Sequence, residues 1–193
     1  VTRIIAGAAG SLALAVPDAG TRPTSDRVRE SLFGALEAGD HIDGAAVLDL
    51  YAGSGALGLE AVSRGAASAD LVERAPRAAS VVEKNVRAVA RAVPAAHVRV
   101  HRAAVEAFLR SASTDYDLVF VDPPYDLDAA ALDTTLALLA PCLRVGAVVV
   151  VERASRSGRP IVPAGLELIR EKKYGDTTLW WLSPVEPVEP AED

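Results

Sequence analysis

An α/β fold with one mostly parallel sheet, closed by a C-terminal antiparallel hairpin, is what this 193-residue sequence predicts. Three observations carry that expectation. Short apolar runs alternate with amphipathic stretches of helical period through the middle of the chain, as strands do when crossover helices join them. A Gly-rich turn, Gly53-Ser54-Gly55-Ala56-Leu57-Gly58, directly follows the first of these runs. A later run, Leu118–Val121, stops at Asp122-Pro123-Pro124-Tyr125. Two adjacent prolines supply no N–H and cannot continue a sheet ladder.

The elements follow in order. Arg3–Ile5 and Leu12–Val16 read as short strands around Ala6–Gly10, a small N-terminal β-hairpin extension. Thr21–Ser25 is a polar, Pro-containing link. Ser25 or Asp26 can cap a helix running to about Ala38, with Val28, Leu32 and Leu36 on one face. Gly39 is placed to end it. Ala46–Leu50 is a strand, and Leu57–Arg64 a helix. Ala69–Val72 is a second strand. Arg77–Ala92 is a helix with Ala78, Val81, Val82, Val86 and Val89 inward. Val98–His101 is a third strand and Val105–Arg110 a short helix. Leu118–Val121 is the fourth strand, Ala129–Ala140 a helix, and Ala147–Val151 the fifth strand. Glu167–Tyr174 and Thr177–Leu182 flank Gly175-Asp176 and read as a hairpin. Trp180 and Trp181 then point to opposite faces, one in the core and one partly exposed. The expected organisation is an extension and link over 1–24, one domain over 25–182, and a disordered acidic, Pro-rich tail over 183–193.

Length suits one domain with a full core. Aromatics are only 5%, so Ala, Val and Leu must do most of the packing. The single cysteine, Cys142, excludes an intramolecular disulfide and a Cys-based zinc cluster, and reads as a buried thiol at a helix end. His41, His97 and His101 have no metal-ligand spacing and read as structural or surface residues, so no metal is expected. A net charge of −6 argues against a protein that coats nucleic acid electrostatically. Its distribution softens this. The tail carries Glu186, Glu189, Glu192 and Asp193, whereas Arg74–Arg110 holds eight cations against Glu83 and Glu106. That segment reads as a solvated helix face that still permits an RNA-facing surface. Ile4–Pro17 is uncharged and contains Ala13-Leu14-Ala15, the outline of a leader peptide. Gly7 and Gly10 interrupt it, and one cation precedes it, which favours the hairpin. No run approaches the ~20 apolar residues of a membrane span.

The chemistry is concentrated at two strand ends. Gly53 and Gly55 allow a tight turn and let backbone approach a ligand. Glu73 closes the second strand, placed to accept both hydroxyl protons of a ribose. Taken alone, Gly53-x-Gly55-x-x-Gly58 fits a dinucleotide as well as S-adenosylmethionine. Asp49 tilts the balance, because an acid there repels a pyrophosphate and suits the ammonium of a methionine moiety, directly or through water. The alternative is a carboxylate that caps the turn. At the fourth strand, Asp122 and the Pro123 carbonyl can accept the two hydrogen bonds of an exocyclic base amine. That aims the lone pair at a sulfonium methyl, while Tyr125 stacks on the base. Alone, Asp122–Tyr125 could equally be a rigid turn with a helix-capping acid.

Together these segments resemble the bacterial small-subunit ribosomal RNA guanine-N2 methyltransferases of the RsmD type. The resemblance covers residue 3 to about 182. It is carried by Arg3–Gly7, Thr21–Phe33, Asp49–Ala66, Asp122–Tyr125 and Tyr174–Thr177. It implies a Rossmann-like, S-adenosylmethionine-dependent methyltransferase sheet in a cytoplasmic, monomeric enzyme that binds no membrane. The implied substrate is one guanine of 16S rRNA in a small subunit or an assembly intermediate. By position, Asp49, Tyr51, Gly53, Ser54 and Gly55 bind the cofactor, with Glu73 on its ribose. Asp122, Pro123, Pro124 and Tyr125 carry the methyl transfer, with Asp122 also beside the cofactor. Arg3, Arg22, Arg27 and Arg29 are the expected RNA contacts, although Arg29 could pair with Glu30 or Glu37. In one departure, Arg102–Glu106 lacks the acid such enzymes often place near the adenine amine, so backbone around Ala103 and Ala104 is expected to read the adenine. Two other readings share these residues: an N6-adenine methyltransferase on DNA or RNA, and a non-catalytic RNA-binding ribosome-assembly factor. A dehydrogenase is disfavoured, since nothing asks for a hydride-acceptor site.

Overall fold

The computed structural model describes residues 2–17, 25–112 and 115–186. Helix α1 (Asp26–Ala38) is followed by β1 (Ala46–Leu50), α2 (Ala56–Ser63), β2 (Ser68–Val72), α3 (Pro76–Ala90) and β3 (His97–His101). Then come α4 (Val105–Ser111), β4 (Tyr116–Val121), α5 (Ala129–Leu139), β5 (Leu143–Ala154), β6 (Leu166–Tyr174) and β7 (Thr177–Pro184). The seven strands form one sheet in the order β3-β2-β1-β4-β5-β7-β6. β3, β2, β1, β4 and β5 are mutually parallel. β7 runs antiparallel between β5 and β6. The order reverses between β1 and β4, and such a switch point opens a crevice beyond the carboxyl ends of the strands.

Strand alternation sorts the apolar residues into two layers. Val47, Leu118, Phe120, Val148 and Val150 face α1, α2 and α3, which contribute Leu32, Phe33, Leu59, Val62 and Val82. Leu48, Leu50, Val119, Val121 and Val149 face α4 and α5, which contribute Leu109, Leu132, Leu136 and Leu139. Trp180 and Trp181 do take opposite faces, but both are buried, at 6% and 5% exposure. Trp181 packs into one core layer and Trp180 into the other, so the expectation of a partly exposed tryptophan fails because both faces of β7 are covered. In α3 the inward set is Ala78, Ala79, Val82, Asn85 and Val89, while Val81 and Val86 lie at the margin. Cys142 is buried in a 3₁₀ turn after α5.

Ser25 caps α1, its Oγ accepting from Val28 N at 3.3 Å. Gly39 does end α1, yet its φ is −91°; the left-handed residue is Asp40, at φ 56°. The N-terminal strands are reduced to a single antiparallel bridge, Arg3 to Ala13. Segment 2–17 is held from outside instead. The buried Glu60 carboxylate of α2 accepts from Ile5 N (2.7 Å) and Ala6 N (3.0 Å). Ser63 Oγ accepts from Ala9 N (2.9 Å) and donates to the Ala6 carbonyl (2.6 Å). Gly7, at φ 81°, passes so close to Ser63 that a Cβ would overlap its backbone. The Thr21–Thr24 part of the link, and tail residues 187–193, lie outside the described residues.

Candidate active site

The first half of the site is the turn after β1. Tyr51, Gly53 and Gly55 all have positive φ, at 62°, 60° and 78°. Tyr51 has a side chain in this left-handed region, an unfavourable conformation that surrounding contacts must hold. It carries the ring across the sheet to α5, where the Tyr51 hydroxyl bonds Thr135 Oγ1 at 3.0 Å. Burial raises the hydroxyl pKa, and the Thr135 bond partly offsets it. Tyr51 therefore shapes the turn through its backbone, while its half-buried ring is anchored to α5 through the hydroxyl. A Cβ at Gly53 would meet only the Tyr51 carbonyl oxygen, at 3.9 Å. Gly55 is the N-cap of α2. Gly58 packs α2 onto the sheet, where an added Cβ would overlap Leu71.

Asp49 is 1% exposed and lies beneath this turn, with Oδ2 accepting from Gly58 N at 2.9 Å. The turn-capping reading of its sequence position matches this geometry. Direct contact with a ligand does not, because the carboxylate is sealed from the crevice. Burial pushes its pKa up to about 7, opposed by the Gly58 N–H and assisted by the nearby Glu73 charge. The raised value makes the folded state bind more protons than the unfolded one between about pH 4 and 7. Stability therefore falls as pH rises through that window. Asp49→Asn keeps an acceptor for Gly58 N–H and removes the titration. Wild type is expected to lose unfolding free energy relative to the variant between pH 4.5 and 8, by on the order of a few kcal/mol. Parallel pH profiles from chemical denaturation would disprove it.

Glu73 ends β2, half-buried. Its Oε2 accepts from Gly53 N (3.0 Å) and its Oε1 from Ala75 N (2.7 Å). A carboxylate has about four acceptor sites, so these bonds orient it and leave capacity for ribose hydroxyls. The Ser54 carbonyl accepts from Asn85 Nδ2 at 2.8 Å. At Ala103 the N–H donates to the His101 carbonyl at 3.0 Å, which leaves its own carbonyl as the group it can offer an adenine. Ala104 is exposed at the N-cap of α4. The open Gly53 position, the oriented Glu73 and the crevice at the switch point fit a nucleoside with a small amino-acid arm. They are the residues that would hold S-adenosylmethionine.

The second half is the loop after β4. Leu50 pairs with Val121, so the Gly turn and Asp122 leave the sheet side by side. Asp122 and Pro123 are half-buried, whereas Tyr125 is 57% exposed. The loop closes through Leu127 N–H donating to the Pro124 carbonyl at 2.9 Å, so its turn uses that carbonyl and not the one of Pro123. Asp122, Pro123, Pro124 and Tyr125 line a small cavity with Glu152, Arg153 and Leu132. Beside it is a groove of about 510 Å³, walled by Ser25 and Val28 of α1, Tyr125, Glu152, Arg156 and the Tyr174–Thr177 turn. Ser31 Oγ and the Tyr174 hydroxyl bond at 2.7 Å, and Lys172 Nζ donates to Ser31 Oγ at 3.0 Å, tying that turn to α1.

The arginines predicted for RNA differ in exposure. Arg3 and Arg27 are exposed, and Arg22 lies outside the described residues. Arg29 is buried, at 1% exposure, with Nη2 donating to Asp26 (2.7 Å) and to the Arg3 carbonyl (2.8 Å). It braces the N-terminal segment against α1, and its partner is neither Glu30 nor Glu37. Sequence reading missed Asn85, whose amide bonds Ala15 N–H (2.9 Å), the Ala15 carbonyl (2.8 Å) and Ser54. It also missed Glu60 and Glu152. A charged residue in an otherwise apolar helix stretch, Leu57–Val62, was the one local signal for Glu60. Among the described residues no cluster of metal-ligating side chains forms, and no helix is long and apolar enough to cross a membrane.

Residues 2–183 match a protein-family model described as "Conserved hypothetical protein 95". A 176-residue stretch is 42% identical to Ribosomal RNA small subunit methyltransferase D of Escherichia coli K12, covering 90% of this chain and 85% of that protein. The chain belongs to the RsmD-type methyltransferase family. Another relative, the putative rRNA methyltransferase YlbH of Bacillus subtilis, is 34% identical over 179 residues, 91% of this chain and 95% of that protein. The solved structure of the putative methyltransferase yhhF from Escherichia coli superposes with a TM-score of 0.82 at 38% identity, over 94% of this chain and 97% of that one. The RsmD-type sheet expected from the sequence, with its antiparallel last pair, is the observed one.

Proposed function

We propose that this protein transfers a methyl group from S-adenosylmethionine to the exocyclic N2 amine of a guanine in 16S rRNA, acting in the cytoplasm on a small-subunit assembly intermediate. The observation that supports it most is the juxtaposition of two loops. The Gly53–Gly55 turn with Glu73 and the Asp122–Tyr125 loop emerge from adjacent strands, and the second opens onto the groove beside Tyr125. The names of the relatives point to rRNA as the substrate class.

S-adenosylmethionine, when bound, supplies an electrophilic methyl on a sulfonium. The chain's own residues prepare the nucleophile. A guanine N2 lone pair is delocalised into the ring. Hydrogen bonds from the amine to the Asp122 carboxylate and the Pro123 carbonyl favour tetrahedral nitrogen and direct the lone pair along the line of displacement. As the N–C bond forms, the amine proton loosens toward Asp122 and leaves through it to water. Tyr125, exposed and next to both prolines, fixes the plane of the base by stacking. The groove beyond it accommodates the neighbouring nucleotides, with Arg156 at its wall. Asp49 serves the site from below, by capping α2 and holding the turn in place.

Nucleoside mass spectrometry of 16S rRNA from cells with and without the gene tests the proposal. One N2-methylguanosine is expected to disappear, and to return with wild type but not with Asp122→Ala. An unchanged rRNA pattern would refute it. Tyr125 gives a finer check. Tyr125→Ala should lower kcat/KM by about 10–100-fold, the worth of one base–aromatic stack, while Tyr125→Phe stays within about threefold of wild type. Equal losses in the two variants would exclude stacking.

A further inference from the structure

We infer that Glu152 reads the Watson–Crick edge of the target base and makes the site accept guanine over bases with an unprotonated ring nitrogen at that position. The inference rests on the guanine reading above. β4 and β5 pair in parallel, with Val121 opposite Val151. The next residues, Asp122 just past the end of β4 and Glu152 within β5, therefore stand at the same level, ~4.8 Å apart across the ladder. Val121 and Val151 face α5. Asp122 and Glu152 both line the cavity that holds Pro123 and Tyr125, beyond the end of β4. Glu152 also lines the larger groove, again with Tyr125. Two carboxylates thus stand side by side next to one stacking ring.

Such a pair of acceptors fits one kind of base edge. Guanine presents the N1–H donor next to its N2 amine. With N2 held at Asp122, N1–H turns toward the neighbouring acceptor, and Glu152 is that acceptor. Adenine held by its N6 amine would turn the N1 lone pair toward the same carboxylate, and cytosine held by N4 would turn its N3 lone pair. In both cases acceptor faces acceptor. A site that hydrogen-bonds a donor rejects analogues lacking it far more strongly than an apolar pocket can. Glu152 thereby separates guanine from the amino bases that Asp122–Tyr125 alone would treat alike. Its position just past the apolar run Ala147–Val151 gave no hint of this, because only the sheet register places it beside Asp122.

The test uses small-subunit RNA from cells lacking the gene, with the methylated guanosine replaced by 2-aminopurine riboside. That base keeps the N2 amine, puts a lone pair at N1 and lacks O6. Wild-type protein is expected to prefer guanosine RNA by about 100-fold or more in kcat/KM. Glu152→Gln, whose amide can donate to the N1 lone pair, is expected to narrow the preference to about tenfold or less. Loss of O6 affects both proteins alike and cancels in the comparison. Absence of discrimination by wild type, or an undiminished preference in Glu152→Gln, would overturn the role of Glu152 with the guanine reading intact. Failure of wild type to form N2-methylguanosine on unsubstituted RNA would overturn that reading instead. Thermal melts of both proteins exclude misfolding as the source of a change.

Discussion

Asp122→Ala should reduce methyl transfer by about 10³-fold or more in kcat, with affinity for S-adenosylmethionine within a few-fold of wild type. The expectation follows from what the loop supplies. In the proposed reaction no side chain bonds covalently to the substrate, so the rate rests on orientation and on acceptors preset for the amine. Asp122 is the one charged side chain of the Asp122–Tyr125 loop, and it leaves the sheet level with the Gly turn. Removing it leaves the amine planar and unaimed. The Gly turn and Glu73 remain anchored by their own backbone bonds, so the cofactor side should survive. Asp122→Asn retains one acceptor oxygen and should lie between, losing about tenfold. Single-turnover rates with saturating cofactor, together with calorimetric cofactor titration, check both halves. A rate within tenfold of wild type for Asp122→Ala would show that the amine is held elsewhere.

The largest stability effect is expected at Glu60. Glu60→Ala should lower the unfolding free energy by about 3 kcal/mol, because it removes a buried carboxylate paired with a buried cation. The carboxylate is fully buried and engages Ile5 N, Ala6 N and Arg64 Nε, the last at 2.7 Å. Arg64 keeps Glu37 at 2.9 Å, and it remains over the Phe33 ring, which limits the loss. The segment from Thr2 to Pro17 should then become the first part cut by protease, since two of its backbone anchors are gone. Glu60→Gln, which preserves an acceptor but not the charge, should cost less. A change below 1 kcal/mol for Glu60→Ala, or unaltered cleavage of the segment, would show that Ser63 and Asn85 suffice to hold it.

Most of the sheet was legible because its signal is local. Alternating apolar runs and amphipathic stretches locate each strand and helix within a few residues. The largest boundary error is β5, which begins at Leu143 and runs to Ala154, well beyond Ala147–Val151. Its ends carry no apolar pattern, since they are held by pairing with Tyr116 and with Thr177–Leu179. The site was legible where one segment carries the chemistry, at Gly53–Gly55 and Asp122–Tyr125. It was illegible where function depends on residues brought together from far apart. Arg29 looked like a surface cation until the Arg3 carbonyl buried it. The bond from the Ala103 N–H to the His101 carbonyl, which narrows what that backbone can offer, left no trace in the sequence. Glu60 and Asn85 hold a segment 54 to 70 positions away, which no window of sequence could display.

The sheet stops at seven strands for a reason visible at its two margins. Among the described residues, β3 and β6 have no strand on their outer sides. β3 presents His97, Arg99 and His101, and β6 presents Glu167, Arg170, Glu171, Lys172 and Lys173. Another chain adding to either margin would have to bring its own strand against these charges and strip their water. Charged borders of this kind keep exposed N–H and C=O rows from templating aggregates. The interior strands are rich in valine and would be hazardous if left uncovered. This protein should therefore resist edge-to-edge aggregation while folded, and be most vulnerable to it before β6 and β7, which follow β5 in the chain, have sealed the side of β5.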